Sequence, residues 1–138
     1  YFARYPKARE FIDRTIRDAT MNGYVSTLFN RRRFIPELAS STVAVRNFGE
    51  RMAVNTPIQG TAADLIKLAM INVQKRLTRE NLRSIMILQV HDELVFEVQD
   101  REIEPMKKLV KEEMEGVLTL SVPIKVDMGV GKNWDEAH

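Results

Sequence analysis

The chain has 138 residues at 44% hydrophobic and 29% charged, which suits one domain with a sizeable core and excludes a disordered polypeptide. It has no run of about 18 apolar residues to span a membrane, no signal peptide in its opening YFARYPKAREF, and no cysteine for disulfides or thiolate-bound zinc. The cysteine count is compatible with a reducing cytoplasmic location. A net charge of +2 conceals an asymmetry: residues 1–51 hold 10 Lys/Arg against 5 Asp/Glu, and residues 52–138 hold 11 against 14. A basic part followed by an acidic part suits a polyanion gripped at one end and cations held at the other, although a solvated surface would give the same counts.

In chain order, Phe2, Tyr5, Ala8, Ile12, Ile16 and Ala19 recur at helical spacing and predict a helix over residues 2–21, stopped by Asn22-Gly23. Residues 24–29 read as a short strand, with residues 33–35 as its hairpin partner across Asn30-Arg31-Arg32. A long helical stretch covers residues 43–77, and Pro57 predicts a break or kink near Asn55-Thr56. Beyond it, Ala62, Ile66, Ala69, Val73 and Leu77 form an apolar stripe. Strands over 85–90 and 94–98 follow, then a helix over 101–117 and a closing strand over 122–128. The order predicts an α+β fold with an antiparallel sheet covered on one face by helices.

ILQVHDELVFEV, residues 87–98, places His91, Asp92 and Glu93 in the middle of an apolar run. A continuous strand would bury at least one charge at a cost of several kcal/mol, so a hairpin with these residues at its apex is expected. Asp92 could be a plain turn former. The apex lacks the Gly or Asn that eases a two-residue turn, and the flanking strands promise a stiff, buried platform. Carboxylates on such a platform suit Mg²⁺, which takes oxygen ligands and shares them with phosphates. One aspartate cannot hold two such ions. Asp64 is expected to face outward from its helix and Asp127 to lie on an edge-like strand, so neither supplies a partner. Zinc is disfavoured, because only His91 and His138 are available.

Arg51, Asn55 and Gln59 are spaced four apart, drifting only about 40° per step on a helix, and so line one face. A row of donors there could feel the purine N3 and pyrimidine O2 acceptors of the DNA minor groove, which all base pairs share. A solvated helix face has the same spacing. The triplet Arg31-Arg32-Arg33 is likewise consistent with phosphate contacts or with a solvated turn.

LQVHDELVFEV resembles the motif C hairpin of family A DNA polymerases, and RMAVNTPIQGTAADLIKLAMI resembles the helix upstream of it in that family. GYVSTLFNRRRFIPEL is similar to the preceding hairpin, YFARYPKAREFID to a fingers helix, and VPIKVDMGVGKNW to the closing strand and tail. The resemblance is collinear over essentially the whole chain. It implies a DNA-directed DNA polymerase of replication and repair, with residues 1–43 from the fingers and 44–138 from the palm.

Carried over by position, the resemblance makes Asp92 a ligand of the catalytic metal ions and Glu93 an auxiliary acid. His91 would contact the primer end, and Arg51, Asn55 and Gln59 the template and primer near the minor groove. It implies two Mg²⁺ ions, primer-template DNA and deoxynucleoside triphosphates as partners, no membrane, a monomer and a cytoplasmic location. Nothing in the chain matches the second metal-binding aspartate of motif A, the fingers helix that grips the triphosphate, the thumb or an exonuclease domain. The expectation is therefore a C-terminal portion of a larger enzyme, inactive in isolation. A non-catalytic module that grips duplex DNA stays open as the alternative. Asn30 stands where relatives often carry Gly, and since Asn tolerates positive φ the hairpin should survive.

Overall fold

In the computed structural model, which describes residues 1–138, Pro6 opens helix α1 (Pro6–Asn22) and Gly23 closes it. Proline fits the first turn because the N–H it lacks would be unpaired there. Gly23 takes φ 78 and donates its N–H to the Ala19 carbonyl, a left-handed termination that suits a residue without Cβ. The predicted helix is there but begins at Pro6 rather than at residue 2, leaving Phe2 and Tyr5 ahead of it.

Strands β1 (Tyr24–Ser26) and β2 (Arg32–Phe34) pair antiparallel in the register Tyr24↔Phe34, Val25↔Arg33 and Ser26↔Arg32. The strands are shorter than the sequence suggests, and Thr27–Arg31 is a loop. Asn30 takes φ 62 in it, a positive φ of the kind that the Gly often carried there by relatives implied and that Asn tolerates. A single 3-10 turn, Pro36–Ala39, leads to helix α2 (Val43–Arg79).

The chain divides into two compact units, Tyr1–Asp64 and Leu65–His138. In the first, Ala19, Val25, Ile35, Leu38 and Ala53 form the core, with Met52 packed against it. Of the break or kink expected near Asn55-Thr56, no break occurs: α2 is one helix of 37 residues that contains Pro57. Proline removes one helical hydrogen bond, and side-chain bonds stand on both sides of the gap. Thr61 Oγ1 donates to the Pro57 carbonyl, and Arg33 Nη1 donates to Thr56 Oγ1 at 3.2 Å.

In the second unit, Ile66, Ala69, Val73 and Leu77 of α2 are buried, as the stripe predicts, while Ala62 lies outside it and is exposed. Helix α2 ends with Asn81 at φ 54 and the Leu82 N–H returning to the Leu77 carbonyl, which reverses the chain into the next strand. Strands β3 (Ile85–Val90) and β4 (Glu93–Glu97) form the expected hairpin, and helix α3 (Ile103–Glu115) follows a 3-10 turn over Asp100–Glu102. Val73, Leu77, Met106, Leu109 and Val110 make the core, with Met86 and Phe96 of the hairpin packed against it. Fully burying a side chain such as Leu109 stabilises the fold by about 1.5–3 kcal/mol.

Two further expectations need correction. Residues 122–128 form no strand: they run without a ladder partner, held at one point by the Val126 N–H donating to Glu115 Oε1. Alternation alone cannot make a strand where no neighbour offers its backbone. The platform of the hairpin is apolar but not buried in this chain, since Ile85, Ile87 and Leu88 are 58%, 56% and 44% exposed. The fold class itself, α+β with antiparallel pairing, holds, as two two-stranded sheets. The chain closes with a short helix, α4 (Trp134–Ala137), capped by Asn133.

Candidate functional site

The β3–β4 hairpin closes over two residues, His91 and Asp92, with Val90 paired to Glu93. A bulge makes this possible. Met86 pairs with Phe96 but Leu88 with Val95, so Ile87 is an extra residue on β3. Had Ile87 paired with Val95, the register would have left a three-residue loop over Val90, His91 and Asp92. The bulge also moves the strand's tip onto the opposite side-chain phase from Met86, which faces the core.

His91 adopts φ 53 at the first position of the turn. Histidine, like Asn and Asp, enters this region more readily than most side chains. Gln89 Nε2 donates to the His91 carbonyl at 3.0 Å, tying a strand side chain to the turn it supports. His91, Asp92 and Glu93 are all exposed. Glu93 Oε1 stands 3.6 Å from His138 Nδ1, an attraction that operates only when the imidazole is protonated.

The apex thus presents two neighbouring carboxylates to solvent. No group of three or more His, Asp or Glu side chains converges closely enough to hold a metal ion. The donors suit a hard cation nonetheless, because Mg²⁺ is commonly held by one or two carboxylates while keeping waters and phosphate oxygens. The hairpin is tied down at its other end, just before β3 begins. The Glu102 carboxylate, only 7% exposed, accepts from the Arg83 and Ser84 N–H groups and from Ser84 Oγ. The Ser84 hydroxyl, followed by the backbone N–H groups, holds the Glu102 pKa below its ordinary value.

The second site lies in the first unit. Arg51, Asn55 and Gln59 are all exposed and project from one face of α2, as their spacing predicts. The Arg51 guanidinium lies 5.8 Å from the Phe48 ring centre.

The arginine triplet divides its labour. Arg31 Nε donates to Asp64 Oδ1 at 2.7 Å and its Nη2 to the Gly60 carbonyl at 3.2 Å. Arg33 donates to Thr56 Oγ1 and Met52 Sδ. Arg32 stacks on Tyr24, with its guanidinium carbon 4.5 Å from the ring centre. Arg31 and Arg33 therefore serve α2 rather than a free cationic patch. Asp64 does not face outward either: its side chain is 11% exposed and also accepts from Thr27 Oγ1 at 2.7 Å.

The sequence reading missed Gln89, Ile87 and Glu102. Gln89 carried a signal, a long amide two residues from an apex that lacks glycine. The bulge at Ile87 and the Glu102 anchor carried none, because each depends on a partner distant in the chain.

Residues 1–136 match the description of DNA polymerase family A. The chain is 49% identical over 136 residues to DNA polymerase I of Caldicellulosiruptor bescii, covering 99% of this chain and 16% of that protein. It is 51% identical over 137 residues to the thermostable DNA polymerase I of Thermus filiformis, with the same coverage of 99% and 16%. Among solved structures, it superposes on the POL domain of Pol1 from M. smegmatis in complex with DNA primer-template and dNTP. The TM-score is 0.97 at 47% identity, covering 99% of this chain and 24% of that one. The chain thus spans about one-sixth of the length of these curated relatives. On the match over 136 residues, the chain belongs to DNA polymerase family A.

Proposed function

We propose that these residues act within the polymerase domain of a DNA-directed DNA polymerase, adding deoxynucleotides to a primer 3′ end under template direction. The observation that carries this reading is the exposed Asp92–Glu93 pair, held at a two-residue apex by a bulged and anchored hairpin. Residues 1–43 contribute to the fingers and residues 44–138 to the palm. The partners are primer-template DNA and deoxynucleoside triphosphates, and the setting is the cytoplasm.

Each side chain has a task in the phosphoryl transfer. Asp92 supplies oxygen ligands to the catalytic Mg²⁺ ions, with Glu93 beside it in an auxiliary role, and the second protein ligand comes from outside these residues. Two Mg²⁺ ions, when bound, stabilise the attacking and leaving oxygens of the displacement. His91 contacts the primer end, and its backbone sets where Asp92 points. Arg51, Asn55 and Gln59 lie along the minor groove of the newly formed duplex, where shared acceptors report pair geometry without reading sequence.

The test is single-turnover extension by the full polymerase carrying Asp92→Asn, a change that keeps shape and removes charge. The expected loss is roughly 10²-fold or more, on the scale of removing a principal electrostatic contribution to a transition state. Primer-template affinity should stay near that of the unmodified enzyme. Undiminished extension would reduce Asp92 to a turn former.

A further inference from the structure

Helix α2 carries two adjacent faces in its first half. One bears Arg51, Asn55 and Gln59, all exposed. The other, rotated by about 100°, bears Met52, Thr56, Gly60 and Asp64, and every one of these meets the β1–β2 hairpin. Arg33 donates to Met52 Sδ and Thr56 Oγ1, and Arg31 to the Gly60 carbonyl and Asp64. Thr27 Oγ1 donates to Asp64 Oδ2 and itself accepts from the Phe29 and Arg31 N–H groups. Thr61 Oγ1 accepts from the Leu28 N–H at 3.1 Å. The seat is tight: a Cβ on Gly60 would lie 2.8 Å from Thr27 Cγ2.

Pro57 falls in the middle of this arrangement. It offers no N–H to the Ala53 carbonyl, so the helical ladder lacks its bond over the turn Ala53–Pro57, which separates Arg51 from Gln59 and is where an internal proline kinks or breaks most helices. The hairpin grips the helix on both sides of that gap, at Met52 before it and at Gly60 and Asp64 after it, with Thr56 held inside it. The Arg31–Asp64 contact is charge-assisted and directional, so it fixes an orientation as well as a distance.

We propose that Arg31, Thr27 and Asp64 are positioning residues. They brace α2 across Pro57 and keep Gln59 in line with Asn55 and Arg51, so that the row reaches successive points along the minor groove. The proposal rests on the minor-groove reading given above.

The experiment uses the full-length polymerase and compares single-turnover extension on two primer-templates. One is normal; in the other, a purine N3 near the primer end is replaced by carbon, with the position scanned. In the unmodified enzyme, loss of the acceptor that Gln59 meets should slow extension about two- to tenfold. In Arg31→Lys, which keeps the charge but not the forked geometry, that ratio should fall toward one. A merely structural role would lower both rates together and leave the ratio intact, and that result would overturn the proposal.

Gly60→Ala should also collapse the ratio, by pushing the Thr27 loop off the helix. Adding Thr27→Ser removes Cγ2 while keeping the hydroxyl, and should restore it. If Arg31→Lys fails to fold, this pair decides: restoration supports the brace, and an intact ratio in Gly60→Ala or a failed rescue refutes it. An unmodified enzyme indifferent to the carbon replacement at every position would instead refute the minor-groove reading itself.

Discussion

Ser84 and Glu102 are joined twice, the Glu102 Oε2 atom accepting both the Ser84 N–H at 2.9 Å and the Ser84 hydroxyl. This pair of hydrogen bonds to one serine ties the start of β3 to the turn before α3 and depends on the carboxylate being ionised. Because the folded pKa is lowered, the stabilisation is fully present above the ordinary Glu value of about 4.3. It is lost as pH falls through the depressed folded value. Glu102→Gln should therefore melt at a lower temperature than the unmodified protein at neutral pH, with the gap narrowing in acid. A gap that widens in acid would reverse the sign assigned to this carboxylate.

Glu93→Gln should slow single-turnover extension less than Asp92→Asn does. Glu93 belongs to the paired strand and Asp92 to the turn itself, and only Asp92 is proposed as a metal ligand. Rate constants for the two variants on one primer-template rank them directly, and a larger loss at Glu93 would exchange their roles.

Arg51→Ala should be more damaging than Gln59→Ala. A hydrogen bond to a charged donor contributes about 1.5–3 kcal/mol and a neutral one about 0.5–1.5 kcal/mol. Neither loss should vary strongly with base sequence, since A·T and G·C pairs share the acceptors concerned. The Gln59→Ala loss should not add to that of a carbon-for-nitrogen replacement at the same pair, because both delete one interaction. Additive losses at every position would return the row to an ordinary solvated face.

Arg76 gathers three carboxylates: Glu80 at 2.8 Å, Glu112 at 2.7 Å and Glu113 at 3.3 Å. Glu112, followed by Glu80, holds its guanidinium pKa above the ordinary range. Arg76→Met should destabilise the protein by removing the cation and leaving three acids facing one another. Added salt, which screens that repulsion, should recover part of the loss in a thermal melt.

The 138 residues alone should extend no primer at any Mg²⁺ concentration, since the proposed machinery needs a second metal ligand and a triphosphate-binding helix from elsewhere. Templated extension by this chain, free of contaminating polymerase, would show that it carries a complete site.

What the sequence disclosed was local. Gly23 announced the end of α1 through its own backbone freedom, whereas the positive φ at Asn30 was implied by the Gly that relatives often carry there. The apex at His91-Asp92 was legible from the cost of burying charge, and the row on α2 from helical period alone. What stayed hidden was non-local. Pro57 looked like a break because the hairpin bonds beside it come from residues 23 to 33 positions away. Asp64 looked solvated because its partners Arg31 and Thr27 lie in that same hairpin. Residues 122–128 looked like a strand because alternation does not reveal whether a neighbouring strand exists.

His91 answers to two masters. Its side chain is exposed at the apex, and its backbone occupies φ 53. A β-branched residue there would resist that conformation and swing Asp92 away from its position, whatever its own chemistry. Gly, Asn or Asp would keep the turn while deleting the imidazole. Loss of activity on replacing His91 therefore has one meaning when Asn is the substitute and another when Val is. Only the first isolates what the ring itself does, and the second reads the aspartate next door.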